Sequence, residues 1–237
     1  MKRLIILSSL FLLCVSPLRP QTPESGSVAD IDGNIYRTVI IGRYEWMAEN
    51  LRTTSYGDGT KITGISDSIA WQRLVIGAFC WYHNDEGHAK TWGALYNWYA
   101  VNTGRLCPDG WRVPSDEAWK LLEGNTDSRY STGDPVWDLS GGRGTDAGLI
   151  LKSRSGWDSG GNGKDGVGFS ALPGGERCSN GRFFVGGKSG FWWSSTASGE
   201  STAWYRNMIY GLDDIYRNTH PKWMGFSVRC IRDKQRP

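Results

Sequence analysis

Two short segments of the sequence contain residue types that can bind metal ions or phosphate. The segment "HNDEGH" (83–88) holds two histidines and two acidic residues, but it does not match H-E-x-x-H, and its spacing suits no pair of ligands on one helix face. The segment "GNGKDG" (161–166) satisfies G-x-G-x-x-G, yet Asp165 stands where a P-loop has Ser or Thr, and no strand leads into it. We therefore predict polar turns at both segments.

A third segment, "DIDGN" (30–34), places Asp30, Asp32 and Asn34 at the alternate positions that begin an EF-hand calcium loop. The twelfth position of such a loop needs a bidentate Glu, and this sequence has Ile41 there. Asp, Gly and Asn in a row are also typical of a turn that leads into a strand. The sequence favours a turn and leaves weak calcium binding at an irregular site open.

The first residues have the pattern of a secretory signal peptide. Met1-Lys2-Arg3 is basic, and the apolar run 4–15 is too short to span a bilayer. We predict a signal peptide over 1–16 with its cleavage site open, a Pro- and Ser-rich tether over 17–28, and one domain over 29–237. Cys14 is a candidate for lipidation, although Leu13 stands where that signal normally has Gly, Ala or Ser. We expect the chain to be exported.

Four cysteines remain after Cys14, namely Cys80, Cys107, Cys178 and Cys230. An even number in an exported chain favours disulfides over metal or redox chemistry, and four cysteines permit three pairings. No Cys-x-x-Cys pair and no G-x-S-x-G nucleophile segment is present. We therefore predict no catalytic residue, no metal site and no cofactor.

The charge balance excludes several classes of partner. The chain has 27 Lys and Arg against 24 Asp and Glu, and loss of Lys2 and Arg3 with the signal peptide leaves 25 against 24. No run of basic residues exists, so we expect neither nucleic acid nor an acidic membrane surface as partner. We also expect no transmembrane span, and membrane contact only if Cys14 is lipidated.

The unusual feature of the composition is aromatic, with 13 Trp and 10 Tyr. Aromatic faces stack on sugar rings and give protein interfaces large contact areas at low entropic cost. The candidate ligand-contacting residues, all in the last third of the chain, are Trp193, Tyr205, Tyr210, Tyr216 and Trp223. Burial in the core is the competing interpretation for each of them.

The elements that would position these side chains follow from periodicity. Residues 30–47 read as a turn followed by two strands, 91–104 as a helix that stops at Gly104, and 115–124 as a helix with Ser115 as N-cap. Residues 124–190 are rich in glycine and predict long ordered loops that can carry a binding site. The last third returns to strands, which indicates an α+β fold with a mostly antiparallel sheet.

One of those strands contains "GFWWSS" (190–195), in which two tryptophans are adjacent. Neighbours in a strand face opposite sides of the sheet. We predict that Trp192 points into the core and that Trp193 points toward the loops.

Ten segments of the chain, in order over 30–233, resemble the Fibrobacter succinogenes major paralogous domain of exported bacterial proteins. They are "DIDGNIYRTVIIG", "WMAENLRTT", "FCWYHND", "WGALYNWYAV", "LCPDGWRVPSDEAW", "LKSRSGW", "GFSALPGGER", "GFWWSSTAS", "AWYRNM" and "GFSVRCIRD". That family resembles the C-type lectin-like fold, including the variant used by formylglycine-generating enzymes. The resemblance implies two helices, long Gly-rich loops, and a closing strand "GFSVRCIRD" that pairs with the N-terminal strands.

The resemblance also implies a disulfide pattern and argues against two activities. It makes Cys107–Cys230 the leading disulfide and leaves Cys80–Cys178 as the second pair. The copper-binding cysteine pair of formylglycine-generating enzymes has no match here, and the Glu-Pro-Asn or Gln-Pro-Asp segment of calcium-dependent lectins is absent. We therefore expect an exported, non-enzymatic module, secreted or attached to the bacterial cell surface, that binds a glycan or a surface protein. An enzyme on the formylglycine-generating type of fold and a structural envelope or adhesin subunit are the alternatives.

Overall fold

The computed structural model describes residues 25–158 and 160–234, so the predicted signal peptide, Cys14 and residues 17–24 of the predicted tether lie outside the described residues. The strands in these ranges are Ser25–Ala29 (β1), Ile35–Ile41 (β2), Tyr44–Met47 (β3), Thr63–Gly64 (β4), Ala78–Cys80 (β5), Leu95–Tyr96 (β6), Gly141–Arg143 (β7), Glu176–Arg177 (β8), Phe183–Phe184 (β9), Ser189–Ala197 (β10), Thr202–Ile209 (β11), Ile215–Pro221 (β12) and Ile231–Asp233 (β13). The α-helices are Ser68–Gln72 (α1), Ala89–Trp92 (α2), Trp98–Val101 (α3), Asp116–Thr126 (α4) and Ala147–Leu151 (α5).

The two ends of the described chain meet in one antiparallel sheet of order β1-β2-β3-β13. The predicted turn at 30–34 precedes β2, in which Tyr36 and Thr38 are buried while Ile35 and Arg37 are exposed. Residues 25–28, which the sequence assigned to the tether, belong to β1 and pair with β2. The ordered sheet therefore begins earlier than the Pro- and Ser-rich composition indicates.

A second sheet has the order β10-β11-β12-β7, and it has core on both faces. Trp192 packs into the cluster around Trp46 and Trp119, whereas Trp193 packs into the cluster around Tyr96 and Phe226. Both tryptophans have an exposed fraction of 0%. The prediction that Trp193 points toward the loops is wrong, because β10 lies between two hydrophobic clusters and each face of the strand is covered.

The segment predicted as one helix over 91–104 instead forms α2, the short strand β6 and α3. Gly93 breaks the helix with φ +75°, in a position where a Cβ would lie 2.7 Å from Cβ of Asn50. Asn97 then starts α3, because its side chain accepts hydrogen bonds from the amides of Ala100 (3.1 Å) and Ala78 (3.0 Å). The contacts with Asn50 and Ala78 come from residues distant in sequence, and they outweigh the local helical pattern.

The second predicted helix is α4, and it begins as predicted. Oγ of Ser115 accepts a hydrogen bond from the amide of Ala118 at 3.1 Å, so Ser115 is the N-cap. The helix does not end at Gly124 but continues to Thr126. Gly124 is a packing position, since a Cβ there would lie 2.6 Å from Cα of Thr132.

A buried ion network joins α4 to the second sheet. Arg206 on β11 pairs with Glu123 and, at 2.7 Å, with Asp116. Arg217 on β12 also pairs with Asp116 at 2.7 Å, and Arg143 on β7 pairs with Glu123. Opposite charges that are removed from water together must stay paired, so this network fixes the helix against three strands.

Backbone carbonyls accept hydrogen bonds from another set of buried cations. These bonds hold the Gly-rich loops in place. Arg229 donates to the carbonyl oxygens of Phe169 and Ser170, and Lys152 donates to those of Ile209 (3.2 Å) and Leu212 (2.7 Å). Arg177 likewise donates to carbonyls in the 65–66 and 181 turns. The described residues of the interval 124–190 contain α5 and three short strands rather than loops alone.

The structure contains one of the two disulfides that the resemblance implied, Cys107–Cys230, with a Cα–Cα distance of 5.9 Å. The second pair is wrong, since Cys80 and Cys178 are free thiols. Between Cys80 on β5 and the chain segment of Cys178 lie β6 and the Gly225–Phe226 segment, which bridges to both sides. Adjacent strands are about 4.8 Å apart, so this separation exceeds the reach of a disulfide.

The architecture is thus a mixture of helix and sheet in which all strand pairs except β4–β5 are antiparallel and the helices are short. None of the helices in the described residues is long and apolar enough to cross a bilayer.

Candidate ligand-binding groove

The aromatic residues predicted to contact a ligand do not form one exposed surface. Trp193 and Tyr205 are core residues, with exposed fractions of 0% and 8%. The Trp193 indole donates to the carbonyl of Tyr96 at 2.9 Å and packs 4.4 Å from the Phe226 ring. These two predictions are wrong because both residues lie on the face of the second sheet that a hydrophobic cluster covers.

The other three predicted residues keep solvent access but lie in different places. Tyr210 is exposed in the turn after β11, Tyr216 is half-buried beside Gly142 on β7, and Trp223 is half-buried in the turn after β12. Within residues 25–158 and 160–234, no ring contact joins any two of them. They remain untested single candidates rather than a shared site.

A wide concave surface lies instead at one end of the first sheet. This groove, here called the Trp81 groove, has a volume of about 810 Å³. It is lined by Asp32, Gly33, Asn34, Ile35, Glu49, Arg52, Thr54, Trp81, Glu86, Gly87, Ala89 and Lys90. Its size falls in the range of small-molecule sites, and most of its lining is polar or charged.

The turn at 30–34 forms one wall of the groove, and its carboxylates are already satisfied by the protein. Asp30 accepts hydrogen bonds from the amides of Asp32 and Asn34 and from the Tyr36 hydroxyl (2.5 Å). Asp32 accepts from Ser55 Oγ (2.5 Å) and from the Thr54 amide (2.6 Å). The turn interpretation of "DIDGN" is confirmed by the bond from the Gly33 amide to the Asp30 carbonyl at 3.0 Å.

Those hydrogen bonds also set the charge of the wall. Partial burial acts to raise the pKa of Asp32, but the donors from Ser55, Thr54 and Thr53 outweigh it and hold the pKa well below its usual range. Lys61 lies 3.3 Å from the same carboxylate. Asp32 is therefore a fixed negative charge whose oxygens orient the 53–55 segment.

Arg52 forms the floor between the two sides of the groove. Its guanidinium stacks 4.4 Å from the centre of the Tyr36 ring and donates to the Ile35 carbonyl at 2.7 Å. It also pairs with Glu49 at 3.2 Å. These three contacts hold the planar guanidinium in one orientation, so its hydrogen-bond donors are rigidly placed.

Trp81 and the residues after it form the opposite wall. The Trp81 indole is half-buried and packs edge-to-face on Phe79, with the ring centres 5.3 Å apart. The "HNDEGH" segment folds into two 3-10 turns, as a polar turn should, and the Asp85 side chain accepts from the Gly87 amide at 2.8 Å. His83 and His88 stack on Phe183 and Trp92, so their rings serve packing.

Burial suppresses the reactivity of the two free thiols in the described residues. The Cys178 thiol donates to Glu176 Oε1 at 3.4 Å, and burial followed by the Glu176 charge raises its pKa to about 12. Burial raises the pKa of Cys80 to about 12 as well. Such thiols stay protonated near neutral pH and are weak nucleophiles. In the part of the chain that the structure describes, no group of three His, Cys, Asp or Glu side chains is placed to hold a metal ion.

Sequence reasoning missed Trp81 and Arg52. Both lie in segments that carry the family resemblance, "FCWYHND" and "WMAENLRTT". The available signal was indirect: these segments contain polar and aromatic residues that no core periodicity requires. The groove itself joins residues 32–35, 49–54 and 81–90, and only the fold brings these together.

Comparison with known proteins gives one finding. A family model described as the Fibrobacter succinogenes major domain matches residues 39–232. No curated protein and no solved structure matches the chain. The matched region includes both tryptophans of β10, the disulfide, and the residues of the Trp81 groove that follow the 30–35 turn. The chain therefore belongs to the Fibrobacter succinogenes major domain family.

Proposed function

We propose that this protein is an exported, non-enzymatic surface module that binds a glycan in the Trp81 groove. The observation that carries the proposal is the half-buried Trp81 indole in the wall of an open groove of about 810 Å³ that is also lined by charged and amide side chains. Sugar rings have an apolar face that stacks on an indole and a rim of hydroxyls that bonds to charged and amide groups. Glu49, Arg52 and Asn34 are placed to supply such partners.

We further propose that the domain adopts the C-type lectin-like fold. Two features support this assignment: the closing strand β13 pairs with β3, and the Cys107–Cys230 disulfide ties that strand to the segment before α4. In this fold the chain ends lie together, which suits a domain displayed on a tether. The absence of lectin calcium tripeptides from the sequence means that binding would not use that calcium site.

The direction of the strands supports a role in display. Ser25, where the chain leaves the predicted tether, pairs with Val39, and Asp233 near the C-terminus pairs with Tyr44. Both positions lie at the β2–β3 turn, whereas the groove residues Asp32–Ile35 and Glu49–Arg52 lie at the other end of these strands. Seven residues of β2 span about 20 Å, so the groove opens away from the point of attachment.

A glycan array probed with the purified protein tests the proposal directly. We expect selective binding that Trp81→Ala abolishes, because the stacking surface is removed. Trp223→Ala is the matched control, since Trp223 is also half-buried but lies in the turn after β12, and it should leave binding intact. A blank array together with a blank pull-down from cell-envelope extract would contradict any binding function of the groove. A blank array with a specific, Trp81-dependent protein in the pull-down would make the ligand a protein.

The two alternatives predict different outcomes. An enzyme of the formylglycine-generating type needs a reactive thiol, so rapid labelling of Cys80 or Cys178 in the folded protein at neutral pH would favour it. A structural envelope subunit would remain attached to the envelope and would assemble with itself or with its neighbours. A soluble monomer that binds a saccharide through Trp81 would count against both.

A further inference from the structure

A second groove adjoins the first, and Trp81 belongs to both. The smaller groove has a volume of about 160 Å³ and is lined by Gly64, Ile65, Ser66, Phe79, Cys80, Trp81 and Asn84. The side chain of Trp81 thus separates two open concave surfaces. Trp81 is the one lining residue that they share.

The backbone of the segment that carries Trp81 has a well-defined conformation. Trp81 itself is extended, with φ −89° and ψ 153°. The next turn has His83 and Asn84 in the left-handed region, at φ 54° and 57°. His and Asn enter this region more readily than most non-glycine residues, and here Asn84 Nδ2 also donates to the Ser66 carbonyl at 3.1 Å. The same carbonyl accepts from buried Arg177 at 2.8 Å, so the rim of the smaller groove is rigid.

The two grooves differ in size in a way that limits the ligand. The larger lies within the range of about 300–1,000 Å³ that encloses a whole small ligand, whereas the smaller lies below it and can hold only part of one. A ligand confined to one side of Trp81 would leave the smaller groove unused. A chain of rings that crosses the indole would fill both and would use both edges of Trp81.

We propose that the ligand of this site is a linear oligosaccharide chain that crosses Trp81, rather than a single terminal sugar. This inference rests on the proposed glycan-binding function and adds the class of glycan to it. Rings in the larger groove meet Glu49, Arg52 and Asn34, and at least one ring on the other side of the indole lies against Ile65 and Ser66. The site would therefore bind along a polymer.

Isothermal titration with cello-, xylo-, manno- and chito-oligosaccharides of two to six units tests this inference. We expect affinity for the bound series to rise by about tenfold or more between the dimer and the hexamer, as the second groove becomes occupied. The variant Ser66→Tyr should fill the smaller groove, because Ser66 is exposed and only its carbonyl has a structural role. It should reduce hexamer affinity to the dimer level and leave dimer affinity unchanged.

Thr63→Tyr is the control, since Thr63 is exposed on β4 but does not line either groove. Equal affinities for dimer and hexamer, or a hexamer affinity that Ser66→Tyr does not change, would overturn the chain-binding inference and leave the glycan proposal standing. If no saccharide of any length or series binds, and the array is also blank, both proposals fail. Circular dichroism of each variant establishes that a loss of affinity is not a loss of fold.

Discussion

Two tryptophan-containing segments of this protein have opposite roles. In β10, Trp192 and Trp193 are fully buried on the two faces of one strand. In the segment after β5, Trp81 packs on the Phe79 ring and on the neighbouring hydrophobic cluster, and its remaining exposed part lines two grooves. Both segments carry the family resemblance, so residue type and family motif do not separate a core tryptophan from a contact tryptophan. What separates the two kinds of tryptophan is whether other parts of the fold cover both faces of the segment that carries it.

The indole nitrogens of Trp192 and Trp193 are both hydrogen-bonded inside the core. Trp192 donates to Asn50 Oδ1 and Trp193 to the Tyr96 carbonyl, each at 2.9 Å. A buried indole needs such a partner, because an unpaired donor in the core costs free energy. The partners come from segments 97 and more residues away. The β10 tryptophans therefore join distant parts of the chain.

The largest expected effect is on stability at β10. Trp193→Ala removes a large side chain between Phe226 and Tyr205 and leaves a cavity in the core, so we expect a loss of about 3–5 kcal/mol in the free energy of unfolding. Urea denaturation followed by circular dichroism measures it. Trp192→Ala should lose a similar amount, because both faces of the strand are core. If only one of the two substitutions were severe, the two-sided burial of β10 would be wrong.

The next effect concerns the ion network on the Trp192 side of the sheet. Glu123→Gln removes the negative charge that faces Arg143 and Arg206, and we expect a loss of about 3 kcal/mol, since buried Arg143 loses its carboxylate partner and Arg206 keeps only Asp116. Glu117→Gln on the same helix is the control, because its side chain is 70% exposed and its pair with Lys120 should contribute under about 1 kcal/mol. Equal effects of the two substitutions in urea denaturation would contradict the structural role of the network.

A smaller effect follows from acid titration of the same network. Burial acts to raise the pKa of Asp116, but Arg217 and Arg206 outweigh it and lower the pKa from 3.8 to about 2. Because the folded pKa lies below the unfolded one, Asp116 stabilises the fold at pH values above about 4. This contribution is lost progressively as the pH falls toward 2.

The variant Asp116→Asn isolates that contribution. We expect it to be less stable than the wild type at pH 6 and to show a shallower decline in midpoint between pH 4 and 2, measured by thermal denaturation. Parallel curves for the two proteins over that interval would show that Asp116 does not carry the pH dependence.

The sequence predicts local elements well where local chemistry decides them. Ser115 caps α4 because the Ser–Asp–Glu order suits a helix start, and the Gly42–Arg43 turn separates β2 from β3 as the alternation indicates. The prediction fails where distant segments decide. Gly93 and Asn97 break the helix expected over 91–104 through contacts with Asn50 and Ala78, and Gly124 packs against Thr132 instead of ending α4.

The candidate site was beyond sequence reasoning for the same physical reason. Exposure of a tryptophan depends on what covers the strand, and the residues that cover Trp193 are Phe226 and Tyr205, which lie in other strands or segments. The aromatic count drew attention to stacking surfaces, but it could not choose among 13 tryptophans. Of the predicted contact residues, only Tyr210, Tyr216 and Trp223 keep solvent access.

The smallest expected effect on stability is at Trp81, and it is the sharpest test of the comparison. Trp81→Ala removes a half-buried indole, so we expect the free energy of unfolding to fall by about 1–2 kcal/mol while saccharide binding is lost. Trp81→Phe should retain part of the binding, because a smaller ring still stacks. A loss of 3 kcal/mol or more at Trp81, comparable to that expected at Trp193, would make Trp81 a third core tryptophan, and the groove would then be a consequence of packing rather than a binding site.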